Sequence, residues 1–249
     1  MKILLTSDLH GRLDAFLWFS SALKKDYDLG VIAGDLLDDH TPNEELGRFL
    51  DYDRNMSLPA LPASVSPADR LAHGRQESMN RALLSKEREI KDVLKSAGKP
   101  VLVVPGNHDS TALSTDGTFI NVHMRRIEIG GQPFVGYGCI SRVLGPDLQM
   151  AFLNELEEHI DERTILVTHI PPYGTLDRKS VKRSAGMQSF GSRILADTVS
   201  RRNPRFHFFG DAHDSVGTSG NSINASYVLV SCFCGVDTDS GEVWTEKRK

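Results

Sequence analysis

The chain has 249 residues, 39% of them hydrophobic, enough to bury a sizeable core in one large domain or two small ones. Its formal net charge of −4 gives no overall basic footprint, so nucleic acid is disfavoured as a partner bound through bulk electrostatics. The N-terminus carries no basic leader, and no apolar run is long enough to span a bilayer, which predicts a soluble, cytoplasmic protein with no membrane partner.

The first apolar run, Ile3–Thr6, stops at Ser7-Asp8 and reads as a strand. A helical pattern over Asp14–Lys25 follows, with Phe16, Leu17, Phe19 and Leu23 as buried positions. A second strand-like run, Leu29–Ala33, ends at Gly34-Asp35. Next comes a mainly helical insertion at about 52–98, which would serve as a lid or a homodimer contact. Ser66-Pro67 has the form of an N-cap followed by a first-turn proline, Gly74 interrupts, and Gly98 ends it. Leu83, Leu84, Ile90, Val93 and Leu94 would pack on a sheet, and Glu87, Arg88, Glu89 and Lys91 would form a solvated face.

Val101–Val104 is a third strand-like run, ending at Pro105-Gly106-Asn107. Arg126–Ile129 and Pro133–Gly136 flank Gly130-Gly131, the signature of a two-residue hairpin turn. A helix is expected over Pro146–Ile160 and another over Ser189–Arg202. Between them Ile165–Thr168 ends at His169, and after them Phe206–Phe209 ends at Gly210-Asp211. Asp237–Gly241 separates two further strands. Cys139, Cys232 and Cys234 follow no zinc-type spacing and read as reduced thiols. This alternation predicts an α/β fold: a four-layer α/β/β/α sandwich of two mixed β-sheets flanked by helices, in a single domain spanning 1–249.

At the end of each of the five runs stands an Asp, Asn or His. In open α/β sheets the crevice beyond the strands' carboxyl ends is where ligands bind, so these scattered positions can converge on one pocket. Each motif alone is weak; their joint placement is specific. Carboxylate, imidazole and amide oxygen without thiolate suit Mn²⁺, Fe or Zn²⁺ and argue against a structural zinc cage. Asp8 and His10 lie two apart, so a strand end can turn both toward one cation, and the two oxygens of Asp35 can bridge a pair of cations.

Asp8-Leu9-His10, Gly34-Asp35-Leu36-Leu37-Asp38, Gly106-Asn107-His108-Asp109, His169 and Gly210-Asp211-Ala212-His213 resemble the ordered motifs of the calcineurin-like metallophosphoesterase superfamily. Thr168–Gly174, Phe208–Gly210 and Ile223–Ser226 look like its MPPED-type small phosphodiesterase branch. The resemblance implies a hydrolase that cleaves phosphodiester or phosphomonoester bonds of a small substrate such as a nucleotide, by in-line attack of a metal-bridging hydroxide. It implies a first metal on Asp8, His10, Asp35 and His213, and a second on Asp35, Asn107, His169 and the residue at 211. His108 would protonate the leaving oxygen, with Asp38 orienting its imidazole.

The departure from the pattern is Asp211, where most members of the superfamily have histidine. Either its carboxylate ligates the second metal, favouring Mn²⁺ or Mg²⁺ over Zn²⁺, or it falls short and leaves a low-activity or non-catalytic nucleotide- or metal-binding protein. Among weaker signals, Asp177-Arg178-Lys179 and Lys182-Arg183 read as a solvated loop or as cations steering a phosphorylated substrate. Tyr173, Phe190 and Trp18 read as packing residues or as stacking surfaces for a nucleobase. His207 reads as a satisfied strand residue, His40, His73, His123 and His159 as surface, and Asp109, Asp214 and Gly217-Thr218 as loop-shaping.

Overall fold

The computed structural model describes residues 1–37, 85–109, 113, 115–138, 153–180, 186–227 and 231–247. The apolar runs form strands whose alternate residues face opposite sides, so both faces of each sheet demand cover. In β1 (Lys2–Thr6), Ile3 and Leu5 enter one core cluster and Leu4 another. The same division holds in β3 (Val101–Val103), with Leu102 on the first side and Val101 and Val103 on the second.

Parallel pairing joins β1 to β2 (Leu29–Ile32), β2 to β3 and β3 to β4 (Phe119–Asn121). The far edge is antiparallel: β13 (Cys232–Asp237) pairs with β1 and β14 (Val243–Lys247). The second sheet has the order β11-β12-β10-β7-β6-β5. Its parallel centre is β6 (Gln132–Tyr137), β7 (Ile165–Thr168), β10 (Phe206–Phe209) and β12 (Ser222–Asn224). Antiparallel β5 (Arg125–Ile129) and β11 (Gly217–Ser219) close its edges. Gly130 and Gly131, both with positive φ (57° and 78°), make the β5–β6 turn that the sequence predicts.

Ile3, Leu5, Val31 and Leu102 from one sheet meet Phe134, Ile165, Val167 and Phe208 from the other in a shared core. Helix α1 (Leu13–Asp26) and the helical residues 85–95 (α2) cover the outer face of the first sheet through Phe16, Phe19, Leu23, Ile90 and Leu94. Residues 153–157 (α3) and α4 (Arg193–Arg202) cover the second through Leu153, Leu156 and Leu195. The result is the expected order of helices, sheet, sheet and helices. No described helix is long and apolar enough to cross a membrane.

Several expectations need correction. Leu17 is 54% exposed, on the outer side of α1. Glu87 and Lys91 are buried and paired to each other at 2.7 Å, one helical turn apart, with the Lys91 ammonium 4.9 Å from the Phe119 ring centroid. Mutual neutralisation lets that pair lie inward, whereas Arg88 and Glu89 are exposed. Residues Met187–Ser189 form β9, so α4 starts later than expected, where Ser192 Oγ accepts from Leu195 N. Trp18 is partly buried and stacks on Phe233 at 4.0 Å against the core, the packing alternative of its reading. His123 is half-buried and not on the surface; its Nδ1 accepts from Gly138 N, and burial lowers its pKa to about 4. Cys232 and Cys234 are free, and burial raises both thiol pKa values, Cys234 to about 12. Asp38, His40, His73, Cys139, Lys182, Arg183 and most of the 52–98 insertion lie outside the described residues.

Candidate metal centre

The parallel registers bring the carboxyl ends of β1, β2, β3, β7 and β10 to one side of the paired sheets. Backbone hydrogen bonds then continue past the strands: Asp8 N donates to Gly34 O, His10 N to Asp35 O, and Gly210 N to His169 O. Four of the expected site residues leave their strands in the left-handed region, Asp8 (φ 57°), His10 (45°), Asp35 (53°) and Asp211 (59°). Non-glycine residues rarely adopt this conformation, and its concentration here marks strain held by the surrounding fold at a functional site.

Three motif glycines permit the approach. A Cβ on Gly34 would collide with the His169 ring, one on Gly106 with the Asp35 carboxylate, and one on Gly210 with Ser7 Oγ and the Asp8 carboxylate. Each glycine stands directly before an expected ligand and leaves room for another from a different strand.

Asp8 and Asp35 are both buried, 0% and 2% exposed, at the centre of three overlapping donor groups whose atoms lie within 4.8 Å of one another. These are Asp8, His10 and His213; His10, Asp35 and His108; and Asp8, Asp35 and His169. The Asp35 oxygens divide their neighbours: Oδ2 lies 3.8 Å from His10 Nε2 and 3.9 Å from His108 Nε2, while Oδ1 lies 3.5 Å from His169 Nε2. Asp35 Oδ1 also accepts from the His108 backbone N at 2.9 Å. His213 Nε2 lies 3.0 Å from Asp8 Oδ1, and the His10 and His108 rings meet edge to face at 4.9 Å.

His169 shows best what the site is built to hold. Its Nδ1 lies 2.8 Å from the Ala33 carbonyl, which only accepts, so Nδ1 carries the hydrogen. That leaves Nε2 directed at Asn107 Oδ1 (3.2 Å) and Asp35 Oδ1, two further acceptors. With the Asn107 amide in this orientation, three acceptors face one point and favour a positive charge between them, either a proton on Nε2 or a cation. An imidazole donating its other nitrogen to a carbonyl is the usual setting of a metal ligand.

The electrostatics agree. Burial works to raise the pKa of Asp8 and Asp35, but the neighbouring imidazoles outweigh it and hold both below the ordinary carboxylate value. Burial works to lower His169, but the charges of Asp35, Asp8 and Asp211 raise it well above 6.5. Two adjacent buried carboxylates kept ionised by imidazoles, with an amide oxygen alongside, fit hard or borderline divalent cations.

Asp211 is placed differently from its companions. Its backbone N donates to Asp8 Oδ2 at 3.1 Å, which puts it at the site, but its carboxylate Oδ1 accepts from Lys179 Nζ at 2.6 Å. Among the described residues it belongs to none of the three donor groups.

Several supporting residues carry no periodic signal in the sequence. Asp109 accepts from the backbone N of Leu36, Leu37 and Gly106 and so ties two motif loops together; burial and the Asp35 charge raise its pKa to about 6. Asn224 Nδ2 donates to Ala212 O and Ser215 O, bracing the turn that presents His213. Asp177 is buried and accepts from Gly174 N and Gly191 N, so it organises a loop that sequence alone reads as solvated. Ser7 Oγ donates to Asp8 Oδ2.

Residues 1–215 match the calcineurin-like phosphoesterase family. A UPF0046 protein from Caenorhabditis elegans is 34% identical over 68 residues, 27% of this chain and 21% of that protein, so the match spans about a fifth of the relative's length. Among solved structures, one crystal structure aligns with a TM-score of 0.65 at 17% identity, covering 100% of this chain and 99% of the other. TT1561 of Thermus thermophilus aligns at 0.55 and 18% identity, covering 99% and 98%. These two likenesses concern the fold; the family match over 1–215 carries the assignment. The chain belongs to the calcineurin-like phosphoesterase family.

Proposed function

We propose that this protein hydrolyses phosphodiester or phosphomonoester bonds of a small phosphorylated substrate, such as a nucleotide, with divalent metal ions held at the strand ends. The observation that carries this reading is the facing set of acceptors at His169 Nε2, Asn107 Oδ1 and Asp35 Oδ1. Asp8, His10, Asp35 and His213 would hold a first cation, and Asp35, Asn107 and His169, joined by Asp211 where its carboxylate is released, a second. Mn²⁺ suits this donor set best, with Mg²⁺, Fe and Zn²⁺ as alternatives. Divalent cations in such a site neutralise phosphoryl charge and make water a competent nucleophile near neutral pH.

The chain's own residues supply the rest. The Ala33 carbonyl fixes the His169 tautomer, and the bracing of Asp109 and Asn224 holds the donors at fixed separations. His108, 35% exposed at its side chain and 3.9 Å from Asp35 Oδ2, is the group we assign to protonate the leaving oxygen. The proposed orienting role of Asp38 falls outside the described residues. The test is hydrolysis of bis(p-nitrophenyl) phosphate with added Mn²⁺. Activity that needs the metal and is lost in Asp35→Asn supports the reading, and no activity with any divalent ion rejects it.

A second reading, a binding protein with little turnover, draws on the engagement of Asp211 by Lys179. On that reading Asp211→His restores rapid hydrolysis, and an unchanged rate rejects it.

A further inference from the structure

We propose that Lys179 acts as a resident cation of the second metal half-site, holding the Asp211 carboxylate so that the site takes one divalent ion tightly and a second only weakly. This rests on the metallophosphoesterase reading above and concerns the one position where the chain departs from the expected donor set.

A short ribbon delivers Lys179 to the site. Lys179 is the middle residue of β8 (Arg178–Ser180), which pairs with β9 in a two-stranded ribbon. Both of its chain neighbours are fastened to the turn that carries His213. Ser180 N and Oγ both donate to Asp214 Oδ2, at 2.8 and 3.0 Å, and Ser215 Oγ donates to the Arg178 carbonyl at 2.9 Å. The backbone on either side of Lys179 is thus clamped to residues 213–215, and the side chain between the clamps reaches Asp211. Phe190, across the ribbon, lies 4.1 Å from the ammonium and confines it from another side. A lysine held by a ribbon, a ring and a carboxylate is a built feature and not a stray surface contact.

The consequence is electrostatic. Asp211 is 10% exposed at its side chain and Lys179 is 32% exposed, so the pair is partly shielded from water. The Asp211 carboxylate sits near enough to His169 and His213 for its charge to bear on both imidazoles. Left alone, it would add a negative charge beside the Asp35–Asn107–His169 group and draw a second cation. Paired at 2.6 Å with an ammonium, it has its charge partly offset there, and a second divalent ion must displace Lys179 to use it. Histidine at this position would offer a neutral donor with no such competitor. The substitution and the lysine therefore act as one device: Asp211 supplies the anchor and Lys179 the charge a second metal would otherwise bring.

The experiment is calorimetric titration of Mn²⁺ into the chelator-stripped 249-residue chain, read as stoichiometry and affinity per equivalent, with hydrolysis of bis(p-nitrophenyl) phosphate followed separately. The parent is expected to show one tight equivalent and one weak one. Lys179→Met and Lys179→Gln are expected to tighten the second equivalent by about tenfold or more while leaving the first within about twofold, as removal of a charge-assisted hydrogen bond predicts. Lys179→Arg, which keeps the charge, is expected to titrate like the parent. Two equally tight equivalents in the parent would overturn the proposal, as would a second equivalent unmoved in both neutral variants. Either result leaves the hydrolase reading intact if Mn²⁺-dependent turnover is present. Failure of the parent to bind any Mn²⁺ would overturn both.

Discussion

At the residue scale the site separates groups that hold charge from groups that move a proton. His108 combines a ring partly open to solvent, 35% exposed at its side chain, with a backbone N anchored on Asp35. A proton donor matters most when the leaving oxygen is a poor one. His108→Ala is accordingly expected to lower kcat by about 10²–10⁴-fold on a substrate with an alkyl leaving group, and much less on a p-nitrophenyl ester. The check is the ratio of the two kcat losses; equal losses would mean that His108 positions substrate or metal and transfers no proton. Asp35 stands apart from this because both of its oxygens are shared among three histidines. Asp35→Asn removes the central charge and is expected to abolish Mn²⁺ binding, measured by the metal content of the protein after dialysis.

At the element scale, function depends on how closely the strand ends approach. Gly210 follows β10 directly, and a methyl group there would run into Ser7 and Asp8. Gly210→Ala is therefore expected to cost about 1–3 kcal/mol of stability, as overpacking in a tight site does, and to weaken Mn²⁺ binding as well. Gly186, whose Cβ position is open, is the control: Gly186→Ala should leave both unchanged. Thermal unfolding with and without Mn²⁺ measures the two effects. The same elements show what the sequence discloses. Continuous apolar runs ended by a chemically active residue announce the five strands and their common edge, because two-sided burial and strand-end function both leave marks in local composition. The left-handed conformations of Asp8, His10, Asp35 and Asp211 leave none, since they are imposed by hydrogen bonds from other strands. Nor does the short ribbon holding Lys179: three residues per strand give no usable period, and its partner Asp211 lies 32 residues onward. The inward Glu87–Lys91 pair misleads a reader of charge patterns for a related reason, since pairing, invisible in composition, decides whether a charge can be buried.

At the scale of the whole molecule, two histidines away from the metal centre couple the fold to pH. His207 is fully buried in β10, and its Nε2 lies 2.9 Å from Thr168 Oγ1. The Thr168 hydroxyl already donates to the Ile170 carbonyl at 2.7 Å, so Nε2 must be the donor and Nδ1 keeps its lone pair. Among the described residues Nδ1 has no partner, and a proton there would be buried without an acceptor; burial accordingly lowers the pKa of His207 to about 3. His123, whose Nδ1 already accepts from Gly138 N, is lowered to about 4 by the same cause. Both groups titrate near 6.5 once unfolded, so between that value and the folded pKa the unfolded chain binds more protons. Stability therefore falls as pH drops from about 6.5 toward 4, with a slope of at most about 1.4 kcal/mol per pH unit for each histidine. Metal-site groups titrate over the same range, so the informative quantity is a difference between proteins. His207→Gln retains a donor for Thr168 and removes the titration. Urea unfolding of chelator-stripped parent and variant at pH values from about 7 down to about 4 should show the parent losing about 1 kcal/mol more than the variant for each unit below about 6.5. Parallel curves would mean that His207 finds an acceptor for its second nitrogen when protonated.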